Sequence, residues 1–185
     1  MANARVKVYV ASPLGFSDLT RRDVYEKVLT KIALIGSVDI LDPWEKVAAL
    51  SSTQLRESAA RMTLEEAFAI GNTNIEHINN CDAVFAILDG TDVDGGVAWE
   101  MGFGCALGKK VIGVRTDFRL ASEVPCCLVN PQIEAGVAFS GGHVHGDMES
   151  AIQELSAFVS FKRGAYKSEK EALADLKRKQ VDLDY

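Results

Sequence analysis

The chain has 185 residues, of which 48% are hydrophobic and 25% are charged, and its formal net charge is −6. A chain of this length can form one domain with a full hydrophobic core, and its proportions of hydrophobic and charged residues are typical of soluble globular proteins. The negative charge argues against a nucleic acid or an anionic membrane as the main partner. No apolar run approaches the roughly 20 residues of a membrane span, and the N-terminal residues lack a signal-peptide pattern. We therefore expect a cytoplasmic protein.

The first 43 residues predict strand, loop, helix and strand in turn. Residues 6–11 are rich in β-branched side chains, which favour a strand, and 12–18 form a loop marked by Pro and Gly. Apolar residues recur with helical spacing over about 19–36, and a short second strand follows at 38–41. Asp42 and Pro43 close this strand.

The middle of the chain continues the alternation. Residues from about 45 to 80 predict two helices, the second over about 64–79. A third strand is expected at 83–88, a helix at 95–108 and a fourth strand at 110–115.

The C-terminal part is less regular. Residues 116–135 read as a loop, and 136–139 as a short fifth strand. Asp147 is expected to cap a helix, and Ser168 with Glu171 has capping-box spacing for a last exposed helix.

Together these elements predict an α/β fold, with a flavodoxin-like, doubly wound and mostly parallel five-stranded sheet and helices on both faces. We expect one domain over residues 1–162 and a charged helical extension over 163–185. No GxGxxG motif follows the first strand, and no P-loop lysine pattern occurs, so dinucleotide redox and phosphoryl-transfer chemistry are disfavoured.

The four cysteines predict reduced thiols rather than disulfides or zinc ligands. No CxxC pair occurs among Cys81, Cys105, Cys126 and Cys127, and three of them lie in apolar segments. Cytosolic proteins keep such cysteines reduced, so this usage agrees with the expected location.

Glu100 is the most informative residue, because it is the single charge in the apolar, helix-like run 95–108. A carboxylate among apolar residues is costly unless the protein uses it. The run follows the acidic loop 89–94, which itself follows the third strand. Ligands of open α/β sheets bind at the carboxyl edge of the strands, so we expect a site around Glu100.

Several segments, in their order and spacing, resemble the nucleoside 2-deoxyribosyltransferase family over roughly residues 5–135. The matching segments are VYVASP at 8–13, NIEHINNCD at 74–82, DGGVAWEMG at 94–102, GKKVIG at 108–113, RTDFR at 115–119 and NPQI at 130–133. Residues 140–185 carry no clear counterpart of a family motif.

The resemblance implies transfer of 2-deoxyribose between nucleobases through a covalent deoxyribosyl-glutamate intermediate, with retention of configuration. Glu100 matches the nucleophile, Tyr9 matches a tyrosine that hydrogen-bonds it, and Asp94 matches an acid that handles the proton of the base. The ligands would be a 2′-deoxynucleoside and a free nucleobase. The implied chemistry needs no cofactor and no metal.

The resemblance also implies residues that bind substrate. Asn130 matches an asparagine that a neighbouring subunit supplies to the sugar 5′-hydroxyl, which implies a homo-oligomer. Gln132 stands where methionine is common. Asn74 stands where some relatives have an aspartate, and an amide cannot supply a proton as a carboxylic acid can.

Four further residues complete the predicted substrate site. Gly15 and Phe16 are expected to shape the pocket, with Phe16 stacking on the base. Gly96 permits close approach of the backbone. Asp89, which follows the third strand, is the last candidate, although an aspartate there also fits turn formation.

Two alternative functions remain open at this point. An N-glycoside hydrolase acting on deoxynucleosides or their 5′-monophosphates would share the glutamate, and for monophosphates it would need a phosphate pocket in the first loop. No basic residue precedes Arg21 there, which favours a free nucleoside. A non-catalytic nucleoside- or nucleotide-sensing module could use the same fold, and the joint presence of Tyr9, Asp94, Glu100 and Asn130 argues against it.

The remaining polar clusters have simpler interpretations. Asp89, Asp92 and Asp94 fit turns and helix capping, and a divalent cation is the less favoured interpretation. No triad or zinc pattern is visible among the histidines, which are His77, His143 and His145.

Overall fold

The computed structural model describes residues 5–181, with side chains through residue 178. Five parallel strands form one sheet in the order β2-β1-β3-β4-β5. The strands are β1 Val6–Ala11, β2 Val38–Leu41, β3 Ala83–Ile87, β4 Lys110–Val114 and β5 Val144–His145. This order confirms the predicted flavodoxin-like, doubly wound α/β fold.

Helices connect the strands. They are α1 Asp18–Thr20, α2 Glu26–Leu34, α3 Ser52–Arg61, α4 Leu64–Asn80, α5 Gly95–Ala106, α6 Pro131–Phe139, α7 Met148–Lys162 and α8 Glu169–Val181. A π-helical stretch over Arg21–Tyr25 joins α1 to α2, and a 3₁₀ turn over Pro13–Phe16 follows β1.

The two faces of the sheet form two separate cores, because successive strand residues point to opposite sides. Val8 and Val10 belong to a core with α2 and α7. Tyr9 and Ala11 point the other way and belong to a core with α4, α5 and α6. Helices therefore cover both faces, as predicted.

The predicted fifth strand is wrong. Residues 136–139 lie in α6, and β5 is the two-residue strand Val144–His145. Asn130 caps α6 and Pro131 occupies its first turn, a position that suits proline because its missing N–H has no intrahelical role. A short apolar run cannot by itself distinguish helix from strand, and these N-terminal signals lay inside the predicted loop.

The C-terminal helix packs against α7, and its Ala172 is fully buried. Glu169 pairs with Lys110 at 2.8 Å, which ties α8 to the sheet. The Ser168 Oγ accepts a hydrogen bond from the Glu171 N–H at 3.2 Å, as the predicted cap requires. Among residues 5–181, no helix combines the length and apolarity needed to cross a bilayer.

Candidate active site

Tyr9 and Glu100 meet at the carboxyl edge of the sheet. The Tyr9 hydroxyl donates a hydrogen bond of 2.6 Å to Glu100 Oε1, and the Asn74 Nδ2 donates to the same oxygen at 3.3 Å. Tyr9 comes from β1, Asn74 from α4 and Glu100 from α5. Three segments distant in sequence thus fix one carboxylate oxygen.

Helix α5 sits close to the sheet because of Gly104. A Cβ at this position would lie 2.8 Å from the Val84 side chain of β3, so only glycine fits without displacement. Glu100 precedes Gly104 by four residues and shares its helix face. The close contact at Gly104 therefore holds the face that carries Glu100 against the sheet, towards Tyr9.

The surroundings of Glu100 act on its pKa in opposite directions. Burial raises the pKa of Glu100 above its usual range, and the nearby Asp94 charge raises it further. The hydrogen bonds from Tyr9 and Asn74 favour the carboxylate and lower the pKa. Burial and the adjacent Glu100 raise the pKa of Tyr9 far above its usual value, so Tyr9 keeps its proton and acts as a donor.

The two carboxylate oxygens of Glu100 differ in their hydrogen bonding. Within the described residues, both hydrogen bonds to the Glu100 carboxylate end on Oε1, and none ends on Oε2. A carboxylate held through one oxygen presents the other in a defined direction. This arrangement suits a nucleophile, whose attacking atom must be ionised, oriented and unobstructed.

Asp94 caps the N-terminus of α5. Its Oδ1 accepts hydrogen bonds from the backbone N–H groups of Gly96 at 2.9 Å and Val97 at 3.1 Å. A Cβ at Gly96 would lie 3.1 Å from this oxygen, so glycine leaves room for the capping carboxylate. Among the described contacts, Asp94 Oδ2 accepts no hydrogen bond, so capping uses only half of the carboxylate.

The first loop is built around Trp44, a residue that the sequence analysis missed. A Cβ on Gly15 would lie 2.0 Å from the Trp44 ring, so the indole occupies the space that any side chain there would need. The indole Nε1 donates to the Ser12 carbonyl at 3.1 Å, and the Phe16 ring meets it edge-on at 4.7 Å. Phe16 is 68% exposed, which leaves its face open to a ligand.

The family model for nucleoside 2-deoxyribosyltransferase matches residues 8–174 of the chain. The chain belongs to this family. The predicted resemblance is thereby confirmed, and the match extends beyond the segments quoted from the sequence. Family membership makes this chain an enzyme of glycosyl transfer or of the related hydrolysis.

Two solved structures share the fold, and a third is similar at a lower TM-score. A conserved protein from Enterococcus faecalis V583 superposes with a TM-score of 0.61 at 24% identity, covering 81% of this chain and 96% of its own. A 2-deoxyribosyltransferase from Bacillus psychrosaccharolyticus gives 0.54 at 23% identity, covering 78% and 88%. The CMP N-glycosidase of Clostridium botulinum gives 0.47 at 16% identity, covering 82% and 98%. No curated protein matches the chain significantly.

Two other residues predicted for this deoxyribosyltransferase-family site, Asn130 and Gln132, lie at the N-terminus of α6. Asn130 caps α6 through its Oδ1, which accepts from the Gln132 N–H at 2.9 Å, and its Nδ2 lies 3.3 Å from the Glu123 carboxylate. Gln132 is exposed in the first turn of α6. Among the described residues, neither side chain hydrogen-bonds Glu100, so the structure of one chain does not join them to the nucleophile.

The geometry assigns Asp89 to bracing a loop. Its Oδ1 accepts from the backbone N–H groups of Thr116 at 2.5 Å and Asp117 at 2.9 Å, and its Oδ2 accepts from the Thr116 hydroxyl at 2.6 Å. Arg115 is buried nearby and donates to the carbonyls of Leu88 and Gly90. These contacts fix the loop that leads from β3 to Asp94.

Asp42 is a further residue that the sequence analysis did not assign to the site. Its Oδ1 accepts hydrogen bonds from the Tyr25 hydroxyl at 2.6 Å and the Trp44 N–H at 2.8 Å. The Asp42 charge also raises the pKa of Tyr9, although less than burial and Glu100 do. The signal for it was its position directly after β2, at the same edge of the sheet.

An open groove of about 570 Å³ lies between α3 and α4, away from these residues. None of its lining residues belongs to the predicted site; they are Gln54, Glu57, Ser58, Arg61, Met62, Glu66 and Ile70. We place the site at Glu100 instead, because a half-buried, hydrogen-bonded carboxylate with a shifted pKa is typical of a reaction centre.

Proposed function

We propose that this chain exchanges the bases of 2′-deoxynucleosides through a covalent deoxyribosyl ester on Glu100. The observation that carries the proposal is the Glu100 carboxylate, which Tyr9 and Asn74 hold through Oε1 while Oε2 has no hydrogen-bond partner among the described residues. Membership of the nucleoside 2-deoxyribosyltransferase family supports it.

The reaction divides into two displacements. Glu100 Oε2 attacks the anomeric carbon, and the N-glycosidic bond breaks. The electron pair of that bond leaves with the base, which takes a proton from the carboxylic acid form of Asp94. A second base then attacks the same carbon from the vacated side, returns its proton to Asp94 and releases the Glu100 carboxylate. Two inversions retain the configuration, as in retaining glycosidases.

Asp94 carries the proton transfer in this proposal because Asn74 cannot. The amide of Asn74 donates to Glu100 Oε1 and has no ionisable proton. Asp94 is close enough for its charge to raise the pKa of Glu100, and capping leaves its Oδ2 without a partner among the described contacts. General acid–base assistance of this kind contributes about 10² to 10⁴ in rate.

The first loop favours a free nucleoside over a 5′-monophosphate. Arg21 is 1% exposed, and its guanidinium donates to the Gly15 carbonyl at 3.3 Å, to Asp18 at 2.8 Å and to the Leu50 carbonyl. These contacts use the Arg21 guanidinium to stabilise the loop. A phosphate in the first loop would therefore find Arg21 already paired and shielded from solvent.

The test of base exchange is chromatography of deoxyinosine or thymidine incubated with adenine. Deoxyadenosine formation supports the proposal. Release of free base without formation of a new nucleoside would indicate a hydrolase instead of a transferase, and 5′-monophosphates would then be the next substrates to test. Binding of the deoxynucleoside without any turnover would favour a sensing module instead.

We further propose that the enzyme works as a homo-oligomer in which Asn130 completes the site of a neighbouring subunit. Large apolar side chains are exposed on α4 and α5, where Phe68 is 64%, Ile70 52% and Trp99 52% exposed. Extensive apolar surface of this kind is unusual on a monomer. A second copy of the chain would cover it and bring its own Asn130 to the sugar.

Mixing two inactive variants tests the shared site. Glu100→Gln and Asn130→Ala should each have little activity alone, and subunit exchange between them should restore part of it, because some mixed sites regain both residues. The measurement is deoxyadenosine formation after the variants are unfolded and refolded together. If the refolded mixture is no more active than the separate variants, Asn130 does not complete the site of a neighbouring subunit.

Tyr9→Phe should shift the acid limb of the pH–activity profile upwards. The Tyr9 hydrogen bond lowers the pKa of Glu100, so its loss raises that pKa, and the nucleophile becomes protonated at a higher pH. Loss of a buried hydrogen bond to a charged group also predicts roughly a 10- to 100-fold fall in kcat/KM at neutral pH. An unchanged acid limb in the kcat/KM profile would remove Tyr9 from this role.

A further inference from the structure

A cluster of two imidazoles and a carboxylate lies away from Glu100, on the opposite face of the sheet edge formed by β5. His143 Nδ1 lies 3.2 Å from Glu154 Oε1, and His145 Nε2 lies 2.6 Å from Glu154 Oε2. One ligand atom from each residue lies within 4.8 Å of the others. We propose that His143, His145 and Glu154 form a binding site for a divalent transition-metal ion of the zinc class.

The backbone explains why the two rings share one side. His145 lies in β5 and His143 stands two residues before it, and strand residues two apart point to the same face. Both reach the single carboxylate of Glu154, which α7 presents to them. Two imidazoles and one carboxylate are a common ligand set for zinc, with the fourth position left for water.

The site combines a fixed ligand with an open approach. The Glu154 side chain is 5% exposed and that of His145 is 20% exposed, whereas that of His143 is 72% exposed. An ion can therefore reach the cluster from the His143 side. Bond lengths of about 2 Å to zinc require only that the ligand atoms draw slightly closer to a common centre.

The local charge suits a cation despite the presence of Lys110. Lys110 Nζ lies 2.9 Å from Glu154 Oε1, and it also pairs with Glu169 at 2.8 Å and donates to the Gly141 carbonyl. Two carboxylates thus face one ammonium, and Lys110 keeps Glu169 and the Gly141 carbonyl as partners when a metal takes over Glu154.

Titration of the untagged, EDTA-treated chain with Co²⁺, followed by displacement with Zn²⁺, tests the proposal. We expect one saturable equivalent with visible absorption from coordinated Co²⁺, and affinity that falls as the solution is acidified, because imidazole must be unprotonated to bind. His143→Ala should weaken binding by about tenfold or more. Its side chain is largely exposed, so this variant is expected to fold.

His77→Ala is the matched control, because it removes a histidine outside the cluster and should leave Co²⁺ binding unchanged. Absence of saturable binding to the wild-type chain would overturn the proposal. So would an affinity that His143→Ala leaves unaltered, since the ion would then bind elsewhere. A rise in unfolding temperature with Zn²⁺ that is lost in His143→Ala provides an independent readout.

Discussion

Glu100→Gln should lower base exchange by at least about 10³-fold while leaving the fold intact. An amide keeps the shape of the side chain and can still meet the Tyr9 hydroxyl, but it cannot form the glycosyl ester. Burial and Asp94 raise the pKa of Glu100, so the folded state binds its proton more tightly than the unfolded chain does. Charge on Glu100 at neutral pH therefore costs stability, and the variant should be at least as stable as wild type.

Two measurements make this result specific. Glu76→Gln changes an exposed carboxylate on the neighbouring helix α4 in the same way and should keep full activity. Mass spectrometry of wild-type protein with a deoxynucleoside alone should show the added mass of one deoxyribosyl group, and Glu100→Gln should not. Retention of exchange activity by Glu100→Gln would exclude Glu100 as the nucleophile.

Asp94→Asn should separate the two roles of Asp94. Asparagine caps helices as well as aspartate does, so the hydrogen bonds to the N–H groups of Gly96 and Val97 survive, and stability should change little. The amide cannot pass a proton to the base. We expect kcat/KM to fall by about 10² to 10⁴ for bases that require protonation on leaving.

Asp94→Ala provides the comparison, because it removes the cap as well and should cost about 1 kcal/mol of stability. Loss of the Asp94 charge also lowers the pKa of Glu100, so the acid limb of the Asp94→Asn profile should move to lower pH. Steady-state kinetics across pH and thermal unfolding measure both effects. Full activity in Asp94→Asn would reduce Asp94 to a helix cap.

The site was most predictable where the type of a residue and its position along the chain both indicated function. Glu100 stood alone in an apolar helix after an acidic loop, and the structure brings it to Tyr9 and Asn74. Runs of β-branched and apolar residues marked strands β1 to β4 in the sequence. The alternation of these strands with helices predicted their parallel arrangement. The family match over residues 8–174 includes the segments quoted from the sequence and extends beyond them.

Contacts between distant segments were not predictable from local patterns. Trp44 follows β2 in sequence, but its role depends on a fit against Gly15 that only the folded loops reveal. The pairing of His143 and His145 with Glu154 depends on how β5 and α7 pack, and β5 itself was placed several residues too early. The hydrogen bonds that Asp89 accepts were not predictable either, because their donors, Thr116 and Asp117, come from the next loop.

The edge-on pair of Phe16 and Trp44 joins two positions with different tolerance to substitution. Position 16 in the first loop tolerates change, and position 44 after β2 does not. Trp44 fills the space above Gly15 and anchors the Ser12 carbonyl, so a smaller residue would leave a void beneath the loop. Phe16 projects into solvent and supports no other described contact except that ring edge. Laboratory evolution towards new nucleoside analogues should therefore randomise position 16 first and hold position 44 constant.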